Sequence, residues 1–256
     1  MSCVLSQQGV FVPVSAKEFK TWLDAESIST SPAALSALTG LHRGTLGNQL
    51  RRGNVAESTV VAVARATDRN VLHALTAFSP YRDLNSRPIE PSAAEILSQI
   101  HHADLMAELQ FRTSKKHYPR ELRSHIPLID FPHDGSIRAW VDAIDPGDVR
   151  HRMAAETGMA LTYIITQLTD NKLSPPLAVA ASRATGGSFA SGLVVSGLIM
   201  PAEGGWQVRA REEELLEVSD DALVELISAR INLLQRRVKQ RKEAREYAEK
   251  MTELLG

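Results

Sequence analysis

Apolar residues in the first third of the chain recur at spacings of three and four, the period of helices that turn one face to a core. Phe19, Trp22 and Leu23 share a face of a first predicted helix, introduced by Ser15 with Glu18 three residues on, the arrangement of a capping box. The polar stretch SISTSP interrupts the pattern, and Pro32 suits the first turn of a second helix. That helix, PAALSALTG, stops at Gly40, a residue type that enters a left-handed turn without steric cost. Leu41 bridges the turn, HRGTLGNQLRR forms a third helix stopped by Gly53, and ESTVVAVARAT and VLHALTAF make a fourth and a fifth. Leu35, Leu38, Leu41, Leu46 and Leu50 then fit one small shared core.

Further along, residues 79–92 are polar and proline-rich and read as a linker. They lead into one amphipathic helix, AAEILSQIHHADLMAEL (93–109), then a basic stretch and PLIDFPHDG. After a break at PAEGG, a single long helix is predicted from about Asp220 to the end.

The middle of the chain repeats the beginning. Trp22 in TWLDA corresponds to Trp140 in AWVDA at an offset of 118 residues, and the offset holds without gaps. LSALTG falls on MAAETG, Gln49-Leu50 on Gln167-Leu168, and VAVARAT on VAASRAT. Residues 20–75 and 138–193 share 14 identities in 56 positions, against roughly four by chance at ordinary composition. The expected architecture is therefore all-α, with two related five-helix domains, a linker helix and a long C-terminal helix. The segments run 1–80, 81–134, 135–200 and 201–256.

Composition narrows the class. No apolar run approaches a membrane span, and the start of the chain carries neither the basic nor the apolar region of a signal peptide. A lone Cys3 leaves no internal disulfide framework and no cysteine-based zinc site. A cytoplasmic protein is expected. The formal net charge of −1 conceals segregation: 203–225 is strongly acidic, whereas 230–245 carries Arg230, Arg236, Arg237, Lys239, Arg241, Lys242 and Arg245 against Glu243 alone. Arg112, Lys115, Lys116, Arg120 and Arg123 form a second basic stretch. Local charge sets the field a phosphate feels within about 8 Å at physiological salt.

A helix-turn-helix needs a small residue in its first helix, a glycine at the turn, and apolar residues on the inner side of its second helix. LSALTGLHRGTLGNQLRRG supplies Ser36 and Ala37, Gly40, and Leu41, Leu46 and Leu50. Here the chain resembles the Cro/C1 (XRE-type) helix-turn-helix family, strongly over 15–78 and weakly over 135–199, with one extra residue between the Gly40 turn and Gly53. The resemblance implies lambda-repressor-like five-helix domains and a third helix lying in the DNA major groove. Base readout would then fall to His42, Arg43, Thr45, Asn48, Gln49 and Arg52, because Arg can bond guanine in bidentate fashion, Asn or Gln adenine, and Thr a thymine methyl. Arg51, Arg65, Arg69, Lys115 and Lys116 would be phosphate contacts that position the module. The alternative is that these polar side chains are only the solvated face of a helical bundle.

In the second copy the corresponding helix has Leu161, Ile165 and Asp170 where the first has Arg43, Gly47 and Arg52, while Thr162, Tyr163, Thr166, Gln167 and Lys172 stay polar. It reads either as a second DNA-reading helix or as a degenerate one used for dimerisation or packing. The long C-terminal helix either packs on the chain's own domains or supports a homodimer, and its RRVKQRK segment could hold phosphates. Together these imply a regulator that binds a double-stranded DNA operator, of the phage immunity repressor kind. The alternative is a protein-interaction regulator, antitoxin-like or partner-sequestering.

Catalysis is disfavoured. His101, His102, Asp104 and Glu108 are the only metal-like cluster and complete no HExxH motif. There is no P-loop, no strand-associated GxGxxG and no GxSxG elbow. No cofactor, metal site or catalytic residue is expected.

Overall fold

The computed structural model describes residues 14–84, 89–114 and 126–255. Among them the architecture is all-α, with no strand and an isolated bridge between Ser15 and Asn54. The chain divides into two compact units, one of residues 1–99 and 131–210, the other of 100–130 and 211–256.

The first unit opens with α1 (Ala16–Ala25), α2 (Pro32–Thr39), α3 (Arg43–Arg52), α4 (Glu57–Ala66) and α5 (Val71–Thr76). A short α6 (Ala93–Ser98) follows. The unit resumes with α8 (Ser136–Ile144), α9 (Val149–Thr157), α10 (Leu161–Thr169), α11 (Pro175–Thr185) and α12 (Phe189–Val195). Shifted by 118 residues, every boundary of α1–α5 falls within two residues of a boundary of α8–α12, which is the ordinary uncertainty of a helix end.

The hydrogen bonds repeat with the helices. Thr39 and Thr157 each donate a hydroxyl back to a carbonyl four residues earlier, Leu35 or Met153, at 2.7 Å. Each also accepts from the amide two residues on, Leu41 or Met159. The intervening turn residue is left-handed in both, Gly40 at φ 75° and Gly158 at φ 68°. Thr67 and Thr185 close α4 and α11 in the same way. Buried apolar side chains correspond too: Leu23 with Val141, Leu35 with Met153, Leu46 with Ile164, and Leu75 with Leu193.

Inside this unit two arginines at matching positions, Arg65 and Arg183, tie each copy to a flanking segment. Arg183 on α11 donates to Asp83, to the Pro80 carbonyl at 2.8 Å and to Glu156 at 2.8 Å. Arg65 on α4 meets Glu203 through two bonds of 2.7 Å. The tryptophans sit in different settings. Trp22 packs among Phe19 and Phe78, whereas fully buried Trp140 donates its indole N–H to Glu95 at 3.1 Å. Glu95 also completes a capping box with Ser92 at the start of α6.

The single amphipathic helix expected over 93–109 is two. α6 ends at Ser98, and α7 (His102–Thr113) starts afresh behind His101, whose Nδ1 accepts the Ala103 amide at 3.2 Å. The break leaves Gln99 fully buried, its amide donating to Ser98 Oγ and to the Ser136 carbonyl.

The second unit contains α7, a helix not foreseen from the sequence, α13 (Ala210–Glu217), and α14 (Asp220–Leu255). Its organiser is Arg112. Its guanidinium donates to Glu108 at 2.7 Å, to Asp220 at 2.8 Å, and to the Leu215 and Val218 carbonyls at the end of α13, both at 2.7 Å. Burial alone would lower its pKa, but bonds to Asp220 and Glu108 carry it upward instead. Arg112 is thereby withdrawn from the basic stretch to which the sequence assigned it. α7 packs against α14, and Leu105 on the first and Leu223 and Ile227 on the second are buried. Among the described residues no helix is long and apolar enough to cross a membrane.

Candidate nucleic-acid interface

The turn between α2 and α3 is held by side chains that the sequence puts there. Gly40 supplies the left-handed residue, and Ser36 donates its hydroxyl to the Leu41 carbonyl at 2.7 Å. His42 caps α3, its Nδ1 accepting the Gly44 amide at 3.2 Å, so the remaining ring nitrogen is the one available for outward contact. Leu46 is buried and Leu50 half-buried, which turns the opposite side of α3 to solvent. His42, Arg43, Thr45, Asn48, Arg51 and Arg52 are all exposed. Arg51 donates to Asn48 Oδ1 at 2.8 Å, which spreads the two side chains along the surface.

The electrostatics of this face are one-sided. No Asp or Glu occurs between Glu26 and Glu57, and the charged residues inside that interval are Arg43, Arg51 and Arg52. Gly47 has open space where a Cβ would stand, so another molecule's backbone can approach α3 closely there.

Three of the residues assigned to DNA contact are engaged within the protein. Gln49 is half-buried, and its Oε1 accepts from the Ala56 amide at 3.2 Å and from the Thr59 hydroxyl at 2.9 Å. Ala56 is the N-cap of α4 and has no capping side chain of its own, and Gln49 ties this helix start to α3 through the Ala56 amide and the Thr59 hydroxyl. Arg65 is paired with Glu203, which keeps the Arg65 guanidinium above its ordinary pKa. Burial would raise the Glu203 carboxyl, but the Arg65 bond and the Met200 amide hold it below the usual range. Arg69 is bonded to the carboxylate of Glu26 at 2.9 Å and to its carbonyl at 3.0 Å. Lys115 and Lys116 lie outside the described residues.

In the second copy α10 buries Ile164 and Leu168 and exposes Thr162, Tyr163, Ile165 and Thr166, and Lys172 is exposed just past its end. Tyr163 and Ile165 are 50% and 46% exposed, so this face is not spent on packing within the unit. Gln167 repeats the anchoring role of Gln49, its Oε1 accepting the Ser174 amide at 2.9 Å. Nearby cations are compensated: Arg150 is paired with Asp142 and Asp145, and Arg152 with Asp148. Asp145 also accepts the Gly147 and Val149 amides at the start of α9. Burial would raise its carboxyl, yet those amides and Arg150 hold it below its usual pKa.

Sequence reasoning missed the anchoring glutamines. The available signal was that Gln49 and Gln167 coincide in a helix whose outward residues otherwise differ, a pattern that points inward. The His101–Glu108 cluster is likewise internal: Asp104 accepts the Ile129 amide at 3.0 Å and Glu108 is bonded to Arg112. Among the described residues no group of three side chains is placed to hold a metal ion.

No family model matches the chain, and neither a characterised protein nor a solved structure matches it.

Proposed function

We propose that the chain is a sequence-specific double-stranded DNA-binding regulator built on two Cro/C1-like helix-turn-helix domains, a repressor that acts by occupying its operator. The observation that carries this reading is the acid-free interval 27–56, whose cations Arg43, Arg51 and Arg52 all lie exposed on α3. An uncompensated field attracts phosphate and accelerates encounter. Arg43, Thr45, Asn48 and Arg52 then supply donors, acceptors and a methyl suited to base edges in a major groove wide enough for a helix. Gln49, Arg65 and Arg69 serve this reading as scaffold, since they bond the start of α4, Glu203 and Glu26 respectively.

The neutral outer face of α10 favours a second reading at that place. Tyr163 and Ile165 are large and exposed with little charge around them, which suits a protein partner, whereas Thr162, Thr166 and Lys172 suit a second stretch of DNA. Selection of bound duplexes from a random pool by the full-length chain separates the two. A long asymmetric site, shortened by Tyr163→Ala plus Thr166→Ala, assigns α10 to DNA. An unchanged site assigns it to a protein. Arg43→Ala plus Arg52→Ala abolishes selection while the far-ultraviolet circular dichroism stays that of the wild type. Retained selection by that double variant would sink the assignment of α3.

A further inference from the structure

The 36 residues of α14 make a rod of about 54 Å at 1.5 Å per residue, yet its apolar contact ends early. Leu223 and Ile227 are buried, while from 238 through 252 every residue is exposed, including Val238 at 65% and Tyr247 at 68%. The face that carries Leu223, Ile227 and Leu234 continues, at helical spacing, as Arg237, Arg241 and Arg245. The helix therefore packs by one stripe and then presents the same stripe as arginine.

The charges on this free segment are poorly compensated. Lys239, Lys242 and Arg245 each have a glutamate four residues on, at 3.9, 3.8 and 2.9 Å. In that order, cation before anion, such pairs are the weaker kind and are worth a few tenths of a kcal/mol each. Arg236, Arg237 and Arg241 have no ion pair among the described residues. Arg237 and Arg241 stand four residues apart, as do Arg241 and Arg245, so like charges stack along one side. Left alone, the segment repels itself; a polyanion relieves it.

The distribution around the axis selects the polyanion. Arg237, Arg241 and Arg245 form one stripe, flanked by Arg236 on one side and Lys242 on the other, while the rear around Lys239 also carries Glu243 and Glu246. A helix lying on an anionic membrane needs an apolar face opposite its cations, and here Val238 and Tyr247 stand far apart among charged neighbours. A helix with cations on its front and on both flanks fits a partner that flanks it with negative charge on both sides, which is the major groove of duplex DNA between its two phosphate backbones. We infer that residues 236–245 of α14 are a second, sequence-independent DNA-binding element that engages phosphates on both walls of the groove. The choice of duplex DNA rests on the reading of α3 given above.

The test uses full-length protein and a 30-base-pair duplex of scrambled sequence, with affinity followed by fluorescence anisotropy across a salt series. Arg236→Gln, Arg237→Gln and Arg241→Gln are combined, since Gln has nearly the helix propensity of Arg. Neutralising one phosphate contributes about 0.9 to the slope of log affinity against log salt. The triple variant is expected to lower that slope by roughly 2 to 3 and to weaken binding about tenfold or more at low salt. The matching triple Lys variant keeps wild-type behaviour. A duplex RNA of the same sequence, whose deep narrow groove excludes a helix, responds little to the Gln substitutions.

An unchanged slope and affinity for the Gln variant overturns the inference. So does a change confined to vesicles containing anionic lipid, or to the sedimentation coefficient of the free protein. The Arg43→Ala plus Arg52→Ala variant keeps the two ideas apart. If the wild type selects no sequence yet the α14 variant lowers the salt slope, the α14 element stands and the operator reading falls. If selection is intact and the slope unmoved, the reverse holds.

Discussion

Replacing Gln49 by Ala separates a base-reading residue from a scaffold residue on the same helix. The substitution removes the acceptor of two bonds, from the Ala56 amide at 3.2 Å and from the Thr59 hydroxyl at 2.9 Å. Thr59 is 2% exposed, so its hydroxyl has little water to turn to. Two such bonds contribute about 0.5–1.5 kcal/mol each, and leaving a buried donor unmet adds to the cost, so a loss of about 2 kcal/mol is expected. With a urea dependence of about 2 kcal/mol per molar, the midpoint moves down by roughly 1 M. Trp22, Trp140 and Trp206 are all buried and all lie in the first unit, so intrinsic tryptophan fluorescence follows that unit alone.

Two further variants sharpen the measurement. Gln167→Ala removes a single described bond, from the Ser174 amide, and should cost about half as much. Gln49→Glu keeps the acceptor and sets a negative charge near the N-terminus of α4, where the helix dipole favours it. It should retain the wild-type midpoint and, on the reading proposed above, leave the base preference unchanged, because its carboxylate stays on the Ala56 amide and the Thr59 hydroxyl. A Gln49→Ala protein with an unshifted midpoint and a preference relaxed at one base pair would refute the reasoning and return Gln49 to the base-reading set.

Two other outcomes follow from local geometry. The Asp145 carboxyl is held below its usual pKa, so its stabilising contribution is complete above the unfolded value near 3.9 and is lost as pH falls through the lower folded value. Asp145→Asn should lower the Tm of the first unit more at pH 7 than at acid pH, the difference shrinking as pH falls; an equal loss throughout would contradict an ionic role. The glycines divide by their surroundings. A Cβ on Gly192 would stand 2.6 Å from the Ala178 carbonyl oxygen and 3.0 Å from the Trp140 ring, so Gly192→Ala should cost about 1–3 kcal/mol. Gly47 has nothing within 4 Å, so Gly47→Ala should raise stability by about 0.5–1 kcal/mol while reducing DNA affinity. A Gly47→Ala protein that binds DNA as the wild type does would remove close backbone approach from the mechanism of α3.

Much of the secondary structure was legible because it is decided locally. Ser15, Pro32, Gly40 and Gly53 act on backbone dihedrals and unpaired helix-end groups a few residues away, and the three-and-four spacing of apolar residues marks the buried faces whatever they pack on. The matching helix ends at an offset of 118 were legible for a related reason: the residues shared at that offset include those that close turns and fill cores, Thr39 with Thr157 and Gly40 with Gly158 among them. What sequence could not decide is which polar side chains stay free. Arg43 and Arg65 are the same residue type on neighbouring helices, yet Glu203, 138 positions away, claims Arg65 alone. Arg112 looks like surface charge until the end of α13 arrives beside it with two open carbonyls. The division at Gln99 depends on a carbonyl at Ser136 that only folding brings near. Periodicity and capping act within a turn or two of chain, whereas the partner of a charge or an amide is set by whatever tertiary packing carries to it.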